Sequence, residues 1–158
     1  MKYAGIQKND TTAAPGISLT FFAQGCPHRC EGCHNPETWD YEQGEVFTAE
    51  TLNQILEGLT ANGINRTFCI MGGEPLCEEN LFLTSLLIKE VKERYPEQKI
   101  YIWTGYTHEE LLSQNNLKIN YILSTIDCLI DGPYIDELRD ITLPMRGSSN
   151  QRVIYLKE

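Results

Sequence analysis

Basic side chains are scarce in this chain. It carries 13 Lys and Arg against 22 Asp and Glu, a formal net charge of −9. A surface for nucleic acid or anionic lipid needs clustered positive charge, so both partner classes are disfavoured, while a small-molecule site or a protein partner stays open. Long apolar runs are also missing, and with them any stretch able to span a membrane. The opening segment Met1-Lys2-Tyr3-Ala4-Gly5-Ile6-Gln7-Lys8-Asn9-Asp10 lacks the apolar core of an export signal, which points to the cytoplasm. In that reducing compartment six cysteines favour metal ligation or plain burial over disulfides. No repeat, low-complexity tract or linker divides the 158 residues, so one domain over 1–158 is expected.

What is present is a crowding of cysteine. Three of the six fall in Gly25-Cys26-Pro27-His28-Arg29-Cys30-Glu31-Gly32-Cys33-His34-Asn35, spaced Cys-x3-Cys-x2-Cys. Thiolates are soft ligands suited to zinc or to iron–sulfur clusters. Gly25, Pro27 and Gly32 let so short a loop bend around one centre. The odd count is informative, because closed structural zinc sites and closed cubanes use four protein ligands. Three leave one metal position open to chemistry. A zinc site of Cys26, Cys30 and Cys33 with His28 or His34 is a chemically reasonable alternative. Zinc knuckles usually pair two separated Cys-x2-Cys units, however, and no second unit exists here. The spacing therefore favours an iron–sulfur cluster. Cys69, Cys77 and Cys128 are too dispersed for a second cluster and read as packed thiols. His28, His34 and His108 read as ordinary loop and helix-start residues.

The remaining chain alternates strand and helix. Residues 1–16 are polar, end on Pro15-Gly16 and read as a leading loop. Buried strands are expected over 17–23, 67–71, 99–103 and 126–131, with a last strand over 153–156. Helices are expected over 48–62, 79–95, from the capping box Thr107-x-x-Glu110 to Leu112, over 116–125 and briefly over 135–138. This alternation implies an α/β fold with a mainly parallel sheet of five or six strands, an open partial (β/α) barrel with helices on its convex face. In such sheets ligands bind beyond the carboxyl ends of the strands. The cysteine loop follows the first buried strand, Gly72-Gly73-Glu74-Pro75 the second, Thr104-Gly105 the third and Asp131-Gly132-Pro133 the fourth. All four should share one rim. Arg146-Gly147-Ser148-Ser149-Asn150-Gln151 reads as a polar loop, and the pattern does not choose between cofactor binding, a partner groove and a simple turn for it.

The cysteine loop resembles that of the radical S-adenosylmethionine superfamily. Gly25-Cys26, Gly32-Cys33-His34-Asn35 and Thr38-Trp39 are similar to the activating enzymes of glycyl-radical enzymes, and within them to activases of the anaerobic ribonucleoside-triphosphate reductase. The likeness covers nearly the whole chain, including its shortness and the segment Arg146 to Gln151. One departure is Ala14-Pro15-Gly16, where many relatives have Gly-Pro-Gly. The resemblance implies a 4Fe–4S cluster on Cys26, Cys30 and Cys33, with S-adenosylmethionine on the fourth iron. It implies reductive cleavage of that cofactor to a radical that takes hydrogen from a backbone glycine of the reductase. The candidate cofactor-binding residues are Gly32, Cys33, His34, Gly73, Glu74, Thr104 and Asp131. Gly73 and Glu74 would hold the methionyl amino group. Thr104 and Asp131 are candidates for ribose hydroxyls or the cofactor carboxylate, Asp131 alternatively for a cation, and plainly a cap and a turn acid. The partners implied are the reductase and a reducing protein such as flavodoxin. The alternatives are a radical enzyme acting on another glycyl-radical partner or a small molecule, and a zinc-binding interaction module.

Overall fold

The computed structural model describes residues 1–157. Its strands are β1 (Lys2–Asp10), β2 (Ser18–Ala23), β3 (Glu45–Val46), β4 (Thr67–Gly72), β5 (Ile100–Trp103), β6 (Cys128–Asp131) and β7 (Arg152–Tyr155). Its helices are α1 (Ala49–Gly58), α2 (Glu78–Arg94), α3 (His108–Ser113) and α4 (Leu117–Thr125). All seven strands form one sheet in the order β3-β1-β2-β4-β5-β6-β7. The inner strands β2, β4, β5 and β6 run parallel. Antiparallel pairs flank them, β1 with β2 and β3 on one side and β7 with β6 on the other.

Two expectations are corrected. The leading loop is a nine-residue strand, β1. Only Tyr3 and Asp10 of β1 are buried, so hydropathy carries no strand signal there; the backbone ladder to β2 holds it instead. The sheet is consequently larger than five or six strands and mixed, not mainly parallel. Boundaries also shift. Thr48 caps α1 in a capping box with Thr51, but the helix stops at Gly58, and Ala61–Gly63 forms a separate turn with Asn62 at φ 58°. β6 starts at Cys128 because Ile126 still closes α4, its N–H bonded to Ile122 O at 3.0 Å.

Alternate residues of the strands face opposite sides of the sheet. Leu19, Phe21, Phe68, Ile70, Ile100, Ile102 and Leu129 join one buried cluster with Ile55 and Leu59, Leu87 and Val91 of α2, Leu111 of α3, and Ile119 and Ile122 of α4. All four helices therefore cover one face. Each such fully buried aliphatic side chain contributes about 1.5–3 kcal/mol. The other face carries a small cluster of Ala13, Ala14 and Cys69 with Met71, Tyr101, Trp103 and Met145. Among the described residues no helix covers that side, and it stays accessible as a cleft. Among the described residues no helix is long and apolar enough to cross a membrane.

Candidate active site

β2 delivers the chain directly into the cysteine loop. The loop is closed at its base by Gly25 N–H to Thr38 O (2.6 Å) and Cys26 N–H to Trp39 O (3.2 Å). Gly25 has φ 101°, and a Cβ there would lie 2.0 Å from the Tyr41 ring, so only glycine fits. Inside the loop Cys33 N–H bonds Cys30 O at 3.1 Å, and Arg29 takes φ 50°. Asn35 N–H donates to Cys33 Sγ at 3.4 Å. The Arg29 guanidinium lies 5.7 Å from the Trp39 ring centre. Cys26, Cys30 and Cys33 are unpaired and half-buried, and all three line one cavity of about 190 Å³. Burial pushes the Cys26 thiol above its ordinary value, while the N–H groups of His28 and Arg29 pull it back.

The second wall is Gly73-Glu74. Gly73 N–H bonds Ala23 O and Glu74 N–H bonds Gly25 O, both at 2.8 Å, which carries the β2–β4 ladder past the strand ends. Glu74 is 1% exposed. Its Oε2 accepts from Leu76 N–H at 2.9 Å and from the Thr104 hydroxyl at 2.8 Å. Its Oε1 accepts from Gly105 N–H and from His28 Nε2–H, both at 2.7 Å. Thr104 is itself pinned by its N–H to Ile130 O at 2.9 Å. Apolar and aromatic side chains, Trp39, Met71, Trp103 and Tyr134, complete the lining.

A second cavity of about 460 Å³ adjoins the first and shares Cys33, Asn35, Met71, Trp103, Tyr134 and Gln151 with it. Arg146 and Gly147 line it as well. Their place follows from topology: β7 is antiparallel to β6, so Arg152 pairs with Asp131 and the segment before β7 lands on the rim. Gln151 then stitches it, accepting from Gly147 and Ser148 N–H at 2.9 and 3.1 Å and donating to Gly132 O at 3.1 Å.

Of the predicted site residues, Cys26, Cys30, Cys33, Gly73, Glu74 and Thr104 line the first cavity. His34 lies on the second, its ring 5.5 Å from that of Tyr134. Gly32 lines neither; it takes φ 77° against Asp136. Asp131 also lies outside both, and its carboxylate is engaged by Arg152 Nε at 3.0 Å and Nη2 at 2.5 Å and by His108 N–H at 2.7 Å. Arg152 also bonds Glu109 at 2.6 Å and holds that carboxyl down at about 2. The sequence offers His28 only as an alternative zinc ligand and Gln151 only as part of an unplaced loop, and it does not single out Asn35, Trp103 and Tyr134 as site residues. Trp103 ends β5 and Tyr134 follows β6 by three positions, so the strand-end rule would have found both. Cys69, Cys77 and Cys128 are buried, and burial pushes their thiols to about 12, 11 and 11.

The donor set fits a cluster better than a lone ion. Among the described residues no three His, Cys, Asp or Glu side chains converge closely enough to hold one metal ion. Zinc draws its sulfur ligands to about 2.3 Å, whereas a cluster spreads thiolates over separate irons and so suits three thiols around a cavity. A metal beside Cys26 would also keep its thiol deprotonated against the effect of burial.

Comparison with known proteins gives the class first. Residues 13–154 match a family model described as a 4Fe-4S single cluster domain. The chain is also 34% identical over 158 residues to the anaerobic ribonucleoside-triphosphate reductase-activating protein of Escherichia coli K12, covering 99% of this chain and 100% of the relative. The protein of that name from Vibrio cholerae is 36% identical over 152 residues, 96% of each chain. That from Enterobacteria phage T4 is 37% identical over 153 residues, 97% of this chain and 93% of the relative. The chain belongs to the family of anaerobic ribonucleoside-triphosphate reductase-activating proteins.

Proposed function

We propose that this protein activates an anaerobic ribonucleoside-triphosphate reductase by generating a glycyl radical on it, as a radical S-adenosylmethionine oxidoreductase. The observation that carries the reading is the meeting of Cys26, Cys30 and Cys33 with Gly73, Glu74 and Thr104 around one cavity at the carboxyl ends of β2, β4 and β5. Cys26, Cys30 and Cys33 would hold a 4Fe–4S cluster with one iron open to S-adenosylmethionine. Bound together, these supply reductive carbon–sulfur cleavage and hence a hydrogen-abstracting radical.

The chain's own residues do the positioning. Glu74 presents a buried carboxylate to the cofactor's amino group, and Gly73 lets that wall pack directly on the Gly25 and Thr38 carbonyls at the base of the cysteine loop. Thr104 fixes that carboxylate through its hydroxyl. Asp131 enters through Arg152, which it anchors where β7 joins the rim. Trp39, Met71, Trp103 and Tyr134 exclude water from the reacting centre. Cys33 and His34 form the outer lip, with Gly32 turning the loop beside them at φ 77°, and the adjoining cavity leaves room for a polypeptide segment bearing the target glycine. We further infer a single domain over residues 1–158, its sheet an open partial barrel, that works in the cytoplasm with a reducing partner such as flavodoxin.

The test is an electron paramagnetic resonance spectrum of the reconstituted, reduced protein with and without S-adenosylmethionine, followed by incubation with purified reductase. A 4Fe–4S signal that changes on adding the cofactor, then a glycyl radical on the reductase, is expected. A cluster signal indifferent to the cofactor, or an intact cluster that yields no glycyl radical, refutes it.

A further inference from the structure

The Glu74 carboxylate has no free acceptor site. A carboxylate offers about four lone-pair positions, and Leu76 N–H, the Thr104 hydroxyl, Gly105 N–H and His28 Nε2–H fill them. An incoming ammonium therefore needs one of these donors to leave. Two are backbone groups in tight turns. Thr104 is buried, and its oxygen also accepts from Tyr106 N–H at 3.2 Å. His28 differs from all three: it sits on a loop, faces the cavity and is 19% exposed.

The surroundings accommodate its ring specifically. It packs edge-to-face on Tyr106 with centroids 4.6 Å apart. It also fills the space where a Cβ on residue 105 would stand, 2.6 Å away, so glycine at that position makes the room. The ring thus holds a shaped seat against a carboxylate that the chemistry needs free.

We infer that His28 occupies the place on Glu74 that the amino group of S-adenosylmethionine takes, so that cofactor binding exchanges one donor for the other. The inference rests on the proposed contact between that amino group and Glu74. In the free protein His28 keeps the buried carboxylate satisfied, which limits the penalty of an unfilled site. The same bond opposes binding, because it must break as the cofactor enters.

The experiment is calorimetric titration of S-adenosylmethionine into cluster-loaded, oxidised protein, with iron and sulfide measured for every variant. His28→Phe keeps a ring and removes the donor, and should bind about tenfold tighter. His28→Gln restores an N–H donor and should return affinity to the wild-type value. Glu74→Gln should bind about tenfold weaker. Unchanged or weaker binding by His28→Phe, with Glu74→Gln still weakened, overturns the exchange and leaves the site assignment standing. Unchanged binding by Glu74→Gln overturns both. Should His28→Phe load no cluster, Gly105→Ala pushes the ring off its seat while leaving the sequence of the cysteine loop unchanged, and the same tightening is expected; its absence counts equally against the exchange.

Discussion

Gly73→Ala tests how tightly the second wall is built against the cysteine loop. A Cβ at this position would lie 2.3 Å from Gly25 O, 2.9 Å from Gly25 C and 3.0 Å from Thr38 O. All three are backbone atoms, so no side chain can swing aside. To restore ordinary contact the Gly25 carbonyl must retreat by about 1 Å. That carbonyl accepts from Glu74 N–H at 2.8 Å and Asn80 Nδ2 at 3.2 Å, and Gly25 N–H bonds Thr38 O at 2.6 Å. Overpacking of this kind costs about 1–3 kcal/mol, and each weakened hydrogen bond adds up to about 1 kcal/mol, which puts the loss near 3 kcal/mol. Gly5→Ala is the control, since nothing lies within 4 Å of its Cβ position; a gain of about 0.5 kcal/mol is expected there. Urea unfolding of both variants, with iron stoichiometry after reconstitution, reads the result. Gly73→Ala should be destabilised and bind little iron, because Cys26 follows the displaced residue. A Gly73→Ala protein as stable as Gly5→Ala and fully loaded with iron would refute the reasoning.

Three further outcomes rest on contacts elsewhere in the fold. Cys26→Ser, Cys30→Ser and Cys33→Ser should each abolish stable cluster binding, whereas Cys69→Ala, altering a fully buried thiol on the sheet, should retain iron and sulfide at wild-type levels. Asp10→Asn should lower stability by about 2 kcal/mol at pH 7, since burial tends to raise the Asp10 pKa but hydrogen bonds from Thr12, Thr20 and Ala13 outweigh it. With the folded value below the ordinary 3.8, the unfolded chain takes up the proton first; unfolding curves should show the wild-type advantage full above about pH 5 and fading as pH falls through the folded value. Asp131→Ala should cost about 2 kcal/mol in urea melts, because it orphans the His108 N–H and removes the anchor of Arg152.

The parallel strands and their chemistry-bearing ends were legible because burial writes itself into apolar runs and strand ends into glycine. β1 was not, since its strand character lies in the backbone ladder to β2 and its exposed stretch, Gln7, Lys8 and Asn9, is polar. The same limit hid the place of Arg146 to Gln151. Only the antiparallel direction of β7 puts that segment beside Gly132, and hydropathy does not encode strand direction. Asp131 was legible as a strand-end acid, but its partner Arg152 lies 21 positions away across a strand pair. His28 was visible yet uninformative: its meaning comes from Glu74, 46 positions away.

The order in which the cleft's walls are made has a consequence for its assembly. The three thiols come from residues 26–33, whereas Tyr134 and Gln151 of the facing wall come near the other end of the chain. Chains leave the ribosome from the amino end and begin folding as they emerge. Throughout most of elongation the thiols therefore stand without their final wall, exposed to solvent, to oxidants and to iron donors alike. A donor loading the proposed cluster would therefore have its freest access to all three thiols before β7 docks. Once β7 docks, anything delivered to them must enter through the mouth of the cleft.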